Sequence, residues 1–137
     1  SWMPFDDQVK YLAYDIYADA MRFIQDFMDL LSINGRSEVR DVLQTPPTEP
    51  VDLAFILKTL PCLEQLDKTA AVTLLDAIEA RHLLISYPVT SLGGRRKGMV
   101  ANYDTHFRSL MDGRRWSTQR FEFSTELAFL VETDTAK

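Results

Sequence analysis

Apolar residues follow two alternating rhythms along this chain. From Gln8 to Asp15, Val9, Tyr11 and Ala13 point one way and Leu12 and Tyr14 the other, as in a strand covered on both faces, and the run ends in an acid, Asp15. From Tyr17 to Ile33 the period changes: Met21, Ile24, Met28 and Leu31 recur at helical spacing, Phe23, Phe27 and Leu30 widen the stripe, and Asp19, Asp26 and Asp29 stay outside it. This predicts an amphipathic helix closed by Asn34-Gly35 as a left-handed cap. Ser37 to Leu43 reads as a short strand carrying Asp41 near its end, and Pro46, Pro47 and Pro50 stiffen the passage into a second apolar strand, Val51 to Leu57. Pro61 is expected to block immediate helix continuation. Leu66 to Ala80 then reads as a helix with Ala70, Leu74 and Ile78 on one face, and His82 to Tyr87 as a strand. Met99 to Met111 predicts a helix with Tyr103, Phe107 and Leu110 inward. Trp116 to Phe123 and Leu127 to Val131 predict two strands so closely joined that they form an antiparallel hairpin.

Alternating strands and helices finished by a hairpin imply an α/β, doubly wound sheet. The segments after the strands 51–57 and 82–87 should emerge side by side at its carboxyl edge, where open α/β sheets bind ligands. One part is missing from the pattern. In such folds a first strand and a glycine-rich turn precede the acid-tipped strand by roughly 20 residues, yet Ser1-Trp2-Met3-Pro4 stands where that turn should already have ended. The expectation is a sheet without its central strand, completed by a missing N-terminal segment or chain.

Composition narrows the function. The 137 residues, 46% hydrophobic and 26% charged, suit one globular domain. No apolar run approaches the roughly 20 residues that span a bilayer, and no basic-then-apolar leader is visible, so no membrane partner and a cytoplasmic setting are expected. One cysteine excludes an internal disulfide, and two histidines far apart offer no metal-ligand spacing, so no metal is expected. A net charge of −5 argues against an autonomous nucleic-acid binder. Arg95, Arg96 and Lys97, the pair Arg114 and Arg115, and nearby Arg108 and Arg120 nevertheless concentrate positive charge in the second half, as a phosphate-facing patch or as a solvated surface.

Two segments carry more specific information: Leu57-Lys58-Thr59-Leu60-Pro61-Cys62-Leu63-Glu64, and Ser91-Leu92-Gly93-Gly94-Arg95 with Lys97-Gly98-Met99. With Tyr14-Asp15-Ile16, Asp41-Val42, Asn102-Tyr103 and Glu126-Leu127, the chain resembles the aminoglycoside-resistance 16S ribosomal RNA guanine-N(7) methyltransferases over nearly its whole length. The resemblance implies a Rossmann-like class I S-adenosylmethionine-dependent methyltransferase sheet, with 1–137 as the C-terminal portion of the domain and the first strand and glycine-rich turn lacking. It implies S-adenosyl-L-methionine as cofactor and a guanine of 16S rRNA, in the decoding site of the 30S subunit, as methyl acceptor.

Residue by residue, the resemblance gives Asp15 and Ile16 the cofactor's ribose and Asp41 and Val42 its adenine, with Leu57 also on the cofactor side. A strand-end carboxylate suits a pair of hydroxyl donors. By itself Asp15 could equally be a helix-start acid, and Asp41 a turn residue. The resemblance places Lys58, Thr59, Leu60 and Pro61 along the methyl-transfer cavity, and Ser91, Arg95, Lys97 and Met99 against RNA, with Gly93, Gly94 and Gly98 permitting close approach. Pro61 should hold Leu60 extended. Lys58 could meet an RNA phosphate or the guanine carbonyl, or pair with Glu64. Cys62 has no histidine near it in sequence and reads as a buried structural thiol. Guanine N7 already offers an in-plane lone pair, so positioning rather than a general base should carry catalysis. The alternative reading is a noncatalytic methyltransferase-like remnant or RNA-binding module. A dinucleotide oxidoreductase finds no hydride-transfer residue here.

Overall fold

The computed structural model describes residues 7–90 and 96–136, the side chains of Arg96, Lys97 and Ala136 excepted. The chain divides into two compact units, 1–46 and 47–137.

The first unit is a strand-helix-strand crossover of β1 (Tyr11–Asp15), α1 (Ala18–Leu30) and β2 (Gly35–Val39). The strands pair in parallel, Tyr11 opposite Gly35 and Asp15 opposite Val39. Met21 and Met28 of α1 are buried, and Gln25 ties the helix to the sheet by accepting the Ser37 N–H at 2.8 Å. The rest of the broad apolar stripe, Phe23, Phe27 and Leu30, is exposed.

The helix ends differently from the sequence expectation. Ser32, not Gly35, takes the left-handed conformation (φ 52°), and Ile33 N–H reaches back to Met28 O at 2.8 Å in a Schellman-type closure. Gly35 opens β2 instead, and its need for glycine is steric: a Cβ there would lie 2.7 Å from Tyr11 O and 2.6 Å from Met28 Sδ. Gly35→Ala is expected to cost about 1–3 kcal/mol through this overpacking. A lower urea midpoint measures it, and an unchanged one contradicts the close approach. β2 also starts and stops earlier than expected, which leaves Asp41 beyond the strand.

The second unit holds β3 (Val51–Leu57), α2 (Leu60–Leu66), α3 (Ala70–Ala77), β4 (Ala80–Pro88), α4 (Arg96–Met111), β5 (Ser117–Glu122) and β6 (Glu126–Glu132). Its sheet has the order β3-β4-β6-β5. β3 and β4 are parallel, Leu57 opposite Ser86, and β5 and β6 form the expected antiparallel hairpin, with Pro88 of β4 opposite Glu126. One face of this sheet is the core. Leu83, Ile85 and Tyr87 of β4 lie opposite Val131, Phe129 and Leu127 of β6, all buried, and α4 seals them by stacking Phe107 on Phe129 at 3.7 Å between ring centroids.

The opposite face is less covered. Leu53, Phe55 and Leu57 of β3 are 43%, 57% and 50% exposed. Among the described residues β1 pairs only with β2 and β3 only with β4, so each has one free edge.

The helix expected over Leu66–Ala80 is shorter, α3 at Ala70–Ala77, and α2 is an additional helix ahead of it. Proline lacks only an N–H that the first helical turn leaves unpaired anyway, so Pro61 sits in the first turn of α2 rather than blocking it, and Leu60 is helical rather than extended. Asp67 then breaks the run. Its backbone is extended (φ −145°) and its carboxylate accepts both the N–H and the hydroxyl of Thr69 at 2.8 Å, which holds the carboxyl below its ordinary pKa and starts α3.

Candidate functional site

The first unit presents two carboxylates at its strand ends, Asp15 as the last residue of β1 and Asp41 two residues past β2. Asp15 Oδ1 accepts the Tyr17 N–H at 3.1 Å, turning the chain into α1, while the Asp15 carbonyl accepts Arg40 N–H at 2.8 Å. Asp41 makes the same kind of Asx turn, its Oδ1 accepting Leu43 N–H at 2.9 Å. Both acids are exposed. Each uses one oxygen locally and keeps the other for an outside donor, a set that fits hydroxyl or amine donors. Ile16 is exposed beside Asp15, and Val42 is half-buried beside Asp41.

In the second unit the chain leaves β3 through an unusual residue. Lys58 has φ 56°, a left-handed backbone that costs a non-glycine residue about 1–2 kcal/mol, and such strain gathers at functional sites. Neighbouring bonds hold it there: Lys58 N–H donates to Ser86 O at 3.0 Å and Thr59 Oγ1 to Leu57 O at 3.0 Å. Lys58 Nζ lies 3.8 Å from Glu126 Oε1, which also accepts Ser86 Oγ at 2.6 Å. Lys58 therefore pairs with Glu126 and not with Glu64. Leu60 is fully buried and anchors the turn, so Lys58, Thr59, Pro61 and the half-exposed Leu57 are the residues presented at the surface. Cys62, expected to be buried, is exposed, its thiol directed at Lys58 O at 3.6 Å.

Behind this turn stands a polar group that the sequence did not single out. Tyr87, near the end of β4, is fully buried, its hydroxyl 3.1 Å from His106 Nδ1 and its ring stacked on Tyr103 at 4.8 Å. His106 Nε2 lies 2.7 Å from Glu64 Oε2, although the carboxylate sits off the line of a straight hydrogen bond. Burial, and then the Glu64 carboxylate, push the Tyr87 phenol well above its ordinary pKa. The folded chain thus keeps a proton that the unfolded chain releases near pH 10. The associated stability is intact below about pH 10 and falls above it by up to about 1.4 kcal/mol per pH unit. Thermal unfolding across the alkaline range should show Tyr87→Phe with a flatter decline than the parent. Parallel declines would contradict this burial.

Of the residues assigned to RNA, Ser91 and Arg95 lie outside the described residues. Lys97 is placed only as backbone in the first turn of α4, and Met99 is half-buried there. Gly98 is in the same turn with open space where a Cβ would be, so it is a helical residue and not a loop glycine. Three other cations are committed. Arg108 and Arg120 both pair with Asp104, at 3.0 and 3.1 Å, and Arg114 pairs with Asp76 and stacks over Trp116. A cleft of about 490 Å³ beside Asp76, Arg114, Trp116 and Asp134 lies toward the amino end of β4, away from the Lys58 turn; Arg114 pairs there with Asp76, and Trp116 Nε1 donates to Asp134 at 2.9 Å.

Comparison with known proteins places this arrangement. The family model described as ribosomal RNA methyltransferase (FmrO) matches residues 1–130. The chain belongs to this family. It is 35% identical over 130 residues to a 16S rRNA (guanine(1405)-N(7))-methyltransferase of Micromonospora rosea, covering 95% of this chain and 47% of that protein. To the Serratia marcescens enzyme of the same name it is 38% identical over 94 residues, 69% of this chain and 38% of that protein. Among solved structures it resembles the 16S rRNA methyltransferase RmtF in complex with S-adenosyl-L-homocysteine, with a TM-score of 0.82, 32% identity, and coverage of 89% of this chain and 47% of that one. It also resembles the 16S rRNA methylase RmtB, with a TM-score of 0.76, 26% identity, and coverage of 90% and 46%. The fold is accordingly the Rossmann-like α/β sheet of class I S-adenosylmethionine-dependent methyltransferases. The chain spans about half the length of the curated relatives it matches.

Among the described residues no helix is long and apolar enough to cross a membrane.

Proposed function

We propose that residues 1–137 are the C-terminal portion of a methyltransferase domain that moves a methyl group from S-adenosylmethionine to N7 of a guanine in the decoding site of 16S rRNA. Its substrate is the 30S subunit, its setting the cytoplasm, and its consequence aminoglycoside resistance. The observation that carries the reading is the family match over 1–130 joined to sequence likeness to RmtF, whose structure holds the demethylated product of that donor.

The residues present fit the donor. Asp15 and Asp41 each leave a carboxylate oxygen available, for the ribose hydroxyls and the adenine amine respectively, while Ile16 and Val42 beside them supply apolar contact. When bound, S-adenosylmethionine supplies the sulfonium methyl group. Guanine N7 needs no deprotonation, so this chain's contribution is placement: Lys58, Thr59 and Pro61, held by the Ser86 and Glu126 contacts, present a preorganised surface. Leu60 acts from beneath as their anchor. Ser91, Arg95, Lys97 and Met99 are the residues proposed for RNA contact.

The free edge of β3 and the exposed row Leu53, Phe55 and Leu57 support the view that a further strand-bearing segment or chain completes the fold. Chain 1–137 alone is therefore expected to be inactive. Primer extension across the decoding region of 30S subunits, after incubation with full-length protein and methyl donor, tests the proposal. A stop at one guanine is the expected result, and clean read-through overturns it.

A further inference from the structure

His106 occupies a junction that the proposed chemistry leaves unexplained. It lies in the third turn of α4, the helix whose first turn holds Lys97. One ring nitrogen meets β4 through the Tyr87 hydroxyl at 3.1 Å, and the other meets α2 through Glu64 at 2.7 Å. α2 begins at the Lys58–Leu60 turn and carries Glu64 one turn further on. The imidazole thus spans three elements: the strand behind the site, the helix leaving the transfer turn, and α4 itself.

The order of the contacts follows from hydrogen-bond capacity. Tyr87 is fully buried and edge-on to the imidazole at 5.7 Å, with a phenol that stays protonated across the physiological range. It can donate to Nδ1 of His106, which leaves Nε2 turned to the Glu64 carboxylate 2.7 Å away, off the line of a straight hydrogen bond. The Tyr87 hydrogen bond on one side and the close approach of the Glu64 carboxylate on the other tie α2 to α4 and β4 more specifically than apolar packing would. Lys58, at the other end of the same segment, is held by Ser86 and Glu126. The Lys58–Glu64 segment is therefore fixed at both ends by side chains from later in the sequence.

We propose that His106 is a positioning residue for methyl transfer: it never touches donor or acceptor, and it sets the Lys58–Pro61 turn by fastening Glu64 to Tyr87. The role rests on the methyltransferase reading above, and two independent measurements separate the two.

The first is steady-state methylation of 30S subunits by the full-length protein. His106→Ala should lower kcat at least tenfold while KM for 30S and donor affinity change less than threefold, because placement is lost and not binding. His106→Gln puts an amide donor near the position of Nε2 and should recover most of the rate. His106→Asn restores only the Tyr87 side and should not. The second is backbone hydrogen exchange, which needs no activity: His106→Ala should speed exchange in residues 58–66 at least tenfold and leave β6 unchanged. Unaltered exchange in 58–66, or equal loss with His106→Gln and His106→Ala, overturns the positioning role. A parent protein that leaves 30S subunits unmodified overturns the methyltransferase reading instead, and the exchange result still decides whether His106 holds the turn.

Discussion

Asp15→Asn is expected to weaken S-adenosylmethionine binding by the full-length protein about ten- to a hundredfold without unfolding it. The asparagine carbonyl can still accept the Tyr17 N–H that Asp15 Oδ1 accepts at 3.1 Å, so the start of α1 survives. What disappears is the second carboxylate oxygen and its charge, replaced by an amide donor that cannot accept a ribose hydroxyl. Hydrogen bonds to charged groups are worth roughly 1.5–3 kcal/mol, and each 1.4 kcal/mol is a factor of ten in affinity. Isothermal calorimetry reads the loss directly, with circular dichroism as the check on fold. An unchanged dissociation constant would remove Asp15 from the donor site, and a collapsed spectrum would show that its work is to cap α1.

Phe107→Ala should be the most damaging substitution in the second unit. Phe107 is buried and lies nearly parallel to Phe129, 3.7 Å between centroids and 10° between planes, which makes it the main wedge between α4 and β6. Removing a buried phenylalanine costs about 3–5 kcal/mol, a large part of the roughly 5–15 kcal/mol that holds a domain folded. Thermal melts should show Phe107→Ala losing its cooperative transition or shifting it down by more than about ten degrees. Val72→Ala, at an exposed position of α3, should change stability by less than about 0.5 kcal/mol. Similar melts for the two variants would mean that α4 is not seated on this core.

Much of this was legible from local patterning. Val51–Leu57 is legible to both ends because an apolar run, interrupted only by Asp52, stands between Pro50 and a lysine, and the spacing of Phe107 and Leu110 marks them as inward. Errors arose where a residue's usual effect was overridden by its position. Pro61 has the pattern of a helix breaker but sits in the one turn that tolerates it, and Gly35 has the pattern of a left-handed cap but is needed for want of space. Asp67 ended a helix through its side-chain bonds to Thr69, which composition alone does not show.

The candidate site divides in the same way. Asp15, Asp41 and Lys58 lie at strand ends, which a sequence marks plainly. Glu126 and His106 act on residues 40 and 19 positions away, Ser86 and Tyr87, and no local signal announces such a contact. The available hint for His106 was a polar ring one position from the buried Phe107, on a helix face otherwise packed by Tyr103 and Leu110.

The exposed thiol of Cys62 has a practical use. It is the chain's one cysteine, and it stands four residues beyond the strained lysine. A maleimide fluorophore fixed there would sit beside the working surface with no competing attachment point in this chain, so arrival of a nucleotide ligand or of a ribosomal particle could be followed as a change in emission.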